Sequence, residues 1–73
     1  MNAPKPNPWG LTPRQCEVLA AVIETGCNKL ASKALGLELR TTEAHLHAAY
    51  KRIGVGSRIV ALVAFDRWNR SGR

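Results

Sequence analysis

The chain holds two cysteines, one methionine and four aromatic residues, and its longest apolar run covers only residues 59–65. Each scarcity excludes something. Cys16 and Cys27 are too few for a disulfide framework and too far apart for a CxxC zinc or redox pair, which points to a cytoplasmic protein. The apolar run is far short of the about 20 residues a membrane span needs, so the expectation is a soluble chain with no membrane partner. Acidic residues are scarce as well. Five Asp and Glu against eleven Lys and Arg leave 11 − 5 = +6, with a sequence pI near 10.2, and this favours a polyanionic partner with nucleic acid first. Few aromatics argue against single-stranded RNA, which is held by base stacking.

At 73 residues there is room for one domain, which buries only about 60% of its unfolded surface and leaves no large cleft. A composition 45% hydrophobic is too apolar for a disordered basic tail. Catalytic constellations are missing: no nucleophile has a spaced base and orienter, the carboxylates do not pair, and there is no glycine-rich phosphate loop. The expectation is therefore no catalytic residue, no cofactor and no small-molecule ligand. His45 and His47, two apart, point about 200° from one another on a helix and cannot share a metal from one face.

Residues 1–10, MNAPKPNPWG, lack the apolar stretch of a signal peptide and carry no lipidation motif. Pro4, Pro6 and Pro8 make this segment a flexible arm whose end Trp9 anchors. Four helices are expected in residues 11–73. The first, about 13–25, starts at a Thr12-x-x-Gln15 capping box with Pro13 in its first turn, buries Val18, Leu19, Val22 and Ile23, and stops at Gly26. The second, about 28–35, is capped by Asn28, carries Leu30, Ala31, Ala34 and Leu35 as its apolar set, and stops at Gly36. A third, about 39–53, turns Thr42, Leu46, Ala49, Tyr50 and Ile53 to one face. The fourth, about 58–69, follows Ser57 and is apolar all round over residues 59–65. Cys16 reads as a small hydrophobe beside the core, Cys27 as an exposed thiol, and Trp9 and Trp68 as lids. Two helices joined by a short turn with glycine at its start form a helix-turn-helix, an all-α arrangement in which the second helix enters a groove.

Leu11-Thr12-Pro13-Arg14, Val18-Leu19, Asn28-Lys29, Leu35-Gly36, Thr41 with His45-Leu46, the run Lys51-Arg52-Ile53-Gly54-Val55, and Ser57-Arg58 stand together at spacings that resemble the LuxR-type (GerE-like) helix-turn-helix domain. The resemblance spans residues 11 to about 66. It implies a four-helix, double-stranded-DNA-binding transcription regulator of bacterial or phage origin, nucleoid-associated, whose third helix enters the major groove and whose fourth makes a homodimer. If the chain is complete, it resembles the stand-alone minority of the family. Departures concern readout. Glu38 stands where a Ser or Thr cap is usual, and Leu39 where a charge is common. The family's Thr-Val-Lys-x-His reads Thr41-Thr42-Glu43-Ala44-His45, and Leu30 and Ala31 replace typical Glu and Ile.

Opposite the apolar face of the third helix lie Arg40, Glu43, Ala44, His47 and Lys51. By position in the family, Glu43, Ala44 and His47 are the base readers. A carboxylate accepts from cytosine N4, a methyl touches the thymine methyl, and imidazole bonds a purine edge. Glu43 has a plainer reading as a solvated carboxylate near Arg40 or His47, and Ala44 as a clearance residue. Phosphate contacts fall to Arg40 and Thr41 at the positive end of the third helix, and by family position to Lys29, Lys51 and Arg58. His45 reads equally as packed or as a phosphate contact. On the fourth helix the exposed, dimer-forming side is placed at Val60, Val63, Ala64 and Arg67, with Leu62 and Phe65 inward. A different class of function also fits: a protein-interaction module gripping RNA polymerase or another regulator through that apolar helix.

Overall fold

A computed structural model of the chain describes residues 7–54 and 56–71. Residues 1–6 of the expected arm lie outside that range. The described residues form four helices and no strand: α1 (Pro13–Thr25), α2 (Asn28–Leu35), α3 (Leu39–Ile53) and α4 (Arg58–Ser71). None is long and apolar enough to cross a membrane.

Local chemistry sets the first start. Thr12 accepts the Gln15 N–H at 3.1 Å while the Gln15 side chain accepts the Thr12 N–H at 3.0 Å, a reciprocal box that satisfies two otherwise orphaned donors. Ahead of it, residues 7–10 of the expected arm are tied down. Asn7 Oδ1 accepts from the backbone of Trp9 and Leu11, and its Nδ2 donates to the Leu11 carbonyl. This seats Leu11 in the core and sets Trp9 edge-on against Trp68 of α4, ring centres 5.9 Å apart.

The second helix starts one residue earlier than its preferred capping residue suggests. Cys27, not Asn28, is the cap: its sulfur accepts the Leu30 N–H at 3.4 Å, and Asn28 is already helical. Starting there turns Ala31 and Ser32 inward and corrects the expected apolar set, since Leu30 stays 50% exposed and Ala34 is exposed too. At the other end Gly36 adopts φ 68°, a left-handed conformation a side chain would strain, and the Leu37 N–H reaches back to the Ser32 carbonyl at 2.9 Å. Leu37 and Glu38 complete the connection. Glu38 makes no side-chain capping bond to α3, as expected of so long a side chain at that position.

The core is contributed chiefly by α1, which packs on each of the other three helices through Val18, Leu19 and Val22. Against these lie Ala31, Leu46, Ala49, Ile53, Ala61 and Phe65. α2 also rests on α3, and α4 touches α3 lightly. One polar pair is sealed inside: Ser32 and Thr42, bonded hydroxyl to hydroxyl at 2.8 Å. Truncating Phe65, 1% exposed, removes the largest fully buried side chain and costs about 3–5 kcal/mol.

Candidate nucleic-acid interface

Thr42, Leu46, Ala49 and Ile53 fix the roll of α3 by entering the core, which leaves Arg40, Glu43, Ala44, His47 and Lys51 exposed on its other side. Thr41 is half-buried, at the flank of this stripe near the amino end of the helix. A helix terminus with free N–H groups carries partial positive charge, so Arg40 and Thr41 stand where an anion is favoured.

The structure brings some of the expected residues together and leaves others apart. Glu43 and His47 share a shallow groove of about 320 Å³ with Leu46 and Tyr50 of α3, Asn28 of α2 and Arg58 of α4. The first residues of α2 and α4 therefore flank the middle of α3. Arg58 is joined to the base-reading candidates through this groove, whereas Ala44, Arg40, Lys51 and Lys29 lie outside its lining. Asn28, expected as a cap and not as a site residue, is an addition: it does not cap α2 and it lines the groove. The sequence marked it as a cap and as part of the Asn28-Lys29 pair, and neither signal gave it a place beside Glu43 and His47.

Tyr50 lines the same groove and is half-buried. Its hydroxyl is buried without a hydrogen-bond partner among the described residues, and burial pushes its pKa up while the nearby Arg58 cation pulls it down. The hydroxyl stays protonated at neutral pH and is available as a donor. His45 is half-buried, between its two expected roles. Among the described residues the ion pairs are Arg14–Glu17 and Asp66–Arg70, both within single helices and away from α3. Lys29, Arg40, Lys51 and Arg58 thus carry charge that no carboxylate among the described residues neutralises.

On α4, Val60 and Val63 are 52% and 51% exposed and Arg67 is exposed, while Ala64 is half-buried and contributes only an edge. Ile59, 68% exposed, extends this apolar surface and was not assigned to it from the sequence. Ala61 and Phe65 hold the inner side, with Leu62 half-buried. Cys16 is half-buried and its thiol pKa is raised by burial and then by Glu17; Cys27 is exposed. No group of three or more His, Cys, Asp or Glu side chains among the described residues is placed to hold a metal. Another open groove, of about 540 Å³ and lined by Ala20, Ile23, Glu24, Asp66, Asn69 and Arg70, lies between α1 and α4 and contains no α3 residue.

A family model described as GerE, bacterial regulatory proteins of the luxR family, matches residues 10–65, a span reaching from before α1 to Phe65 of α4. No curated protein and no solved structure matches the chain.

Proposed function

The chain belongs to the luxR family of bacterial regulatory proteins, a family of DNA-binding domains, and from that premise we propose that it reads double-stranded DNA with α3 in the major groove and works as a homodimer through α4. The observation that carries the reading is the uncovered side of α3: five exposed positions in one stripe, two of them the cations Arg40 and Lys51, with Arg58 of α4 on the adjoining groove and none of the three in an ion pair among the described residues. Lys29, Arg40, Lys51 and Arg58, with Thr41, hold phosphates and fix register; Glu43, Ala44 and His47 meet base edges. Glu43 is the costly member. A carboxylate near phosphates is repelled unless it finds a donor such as cytosine N4, so its presence supports readout of a particular base over general adhesion.

Homodimerisation is supported by the other uncovered side. Ile59, Val60 and Val63 each hold roughly half or more of their surface in water, and completing their burial is worth on the order of 1 kcal/mol apiece. A two-fold contact doubles that gain and places two copies of α3 about one helical turn apart, roughly 34 Å. Selection of a random duplex library at stated salt tests the whole reading. It should enrich an approximate palindrome with half-site centres about 10 bp apart. Absence of duplex binding would reject DNA readout and leave the α4 surface to a protein partner such as a polymerase subunit.

A further inference from the structure

We propose that Ser32 and Thr42 form a buried latch that positions α3 relative to α2 and thereby sets how sharply the protein discriminates among DNA sequences. The proposal rests on the DNA-reading role given above to α3, and it concerns two residues that touch no DNA.

The geometry is that of a chain of hydroxyls. Ser32 Oγ lies 2.8 Å from the Asn28 carbonyl and 2.8 Å from Thr42 Oγ1, with Ser32 4% and Thr42 0% exposed. A hydroxyl has one proton, so both contacts are satisfied when Thr42 donates to Ser32 and Ser32 donates to the Asn28 carbonyl. The Ser32 carbonyl meanwhile accepts the Leu37 N–H that closes the turn. One residue thus ties the first turn of α2, the connection and the first turn of α3.

Packing between these helices does not supply the same constraint. The fully buried side chains α2 offers are Ala31 and Ser32, while Leu30 points to solvent and Leu35 is only half-buried. Contacts between small side chains are nearly indifferent to a modest slide or roll. A hydrogen bond is directional, and its strength falls steeply once distance and angle depart from the optimum. Leu46, Ala49 and Ile53 set the overall roll of α3 in the core, and the latch acts at its amino end: Thr42 immediately precedes Glu43 and Ala44, so a local shift that breaks the bond also re-aims both.

The test uses Ser32→Ala, Thr42→Val, the double variant and Thr42→Ser in the full chain. Ser32→Ala orphans the buried Thr42 hydroxyl and should lower the folding constant by about 10-fold or more. Thr42→Val leaves Ser32 bonded to Asn28 and should lower it by roughly 5-fold. The double variant leaves no orphan, so its loss should be about 5-fold smaller than the product of the single losses. A purely additive cycle would overturn the latch, and this readout involves no DNA. The second readout is the ratio of affinity for the selected site to affinity for random duplex. In the double variant this ratio should fall about 10-fold, with random-duplex affinity and salt slope unchanged, whereas the single variant Thr42→Ser, which keeps both hydroxyls, should retain the wild-type ratio. An unchanged ratio in the double variant, or in Thr42→Val where the double variant does not fold, would overturn the positioning role. A wild-type protein that prefers no duplex over another would instead defeat the reading of α3 itself, whatever the folding cycle gives.

Discussion

α3 and α4 both bury one side in the same small core, through Leu46 and Ala49 in one and Ala61 and Phe65 in the other, yet what they leave in water is opposite in kind. α3 exposes Arg40, Glu43, His47 and Lys51, groups that water already solvates well and that lose by burial unless charges or donors meet them. α4 exposes Ile59, Val60 and Val63, which gain by burial against any apolar surface. A half-buried helix therefore declares its partner through its uncovered side. The first suits a polyanion with specific donors and acceptors, the second an apolar face, which in the proposed dimer a second copy of the chain would supply.

The comparison breaks hardest on α4. Val63→Glu puts a charge on each side of the two-fold contact and should yield a folded monomer by sedimentation, with affinity for a full palindrome reduced on the order of 100-fold and half-site affinity nearly unchanged. Ala64, half-buried, is the poorer place for the same change because the substitution also strains the core. A monomeric wild type that binds half-sites as tightly as palindromes would hand this face to a different partner.

On α3 the expected effects divide by role. Glu43→Lys should raise affinity for random duplex and shift the preferred base by about 1–3 kcal/mol in a competition assay. Equal gains on every sequence would make Glu43 a brake on non-specific binding and no reader. Lys51→Ala should weaken all duplexes alike and flatten the log–log salt slope by about one unit per protomer, as a titration at several salt concentrations would show. A change confined to one base position would move Lys51 from backbone to base contact.

The smallest effect concerns folding alone. Glu38→Asp keeps the charge and supplies the short acceptor α3 lacks, which should stabilise the domain by about 1 kcal/mol and raise Tm by roughly 4–8 °C. No gain would mean that the first turn of α3 is already satisfied by solvent.

Features legible in the sequence were those decided within a few residues. Thr12 and Gln15 announce a helix start because both partners of the capping box lie in one turn, and Thr42, Leu46, Ala49 and Ile53 announce a buried face because the helix period alone relates them. Ser32 was not legible. Hydrophobic periodicity selects Leu30 and Ala34 for the interior, and a serine is admitted there only because Thr42, ten residues away on another helix, completes its hydrogen bonds. Cys27 escaped for a related reason: Asn is the better capping residue, but the inward demand of Ala31 and Ser32 sets the phase of α2 and moves the cap back by one. Likewise, the groove joining Glu43 and His47 to Asn28 and Arg58 depends on three helices meeting, which no local pattern records. Periodicity placed Val60 and Val63 outward, but how far the exposed side reached toward Ile59 depended on where α4 leaves the core.

Salt dependence of duplex binding tests the central claim, that the uncovered cations around α3 grip a DNA backbone. With about four phosphates neutralised by each protomer of a dimer, log Kobs should fall linearly with log salt at a slope of about −7. A slope near zero on every duplex tried would contradict it.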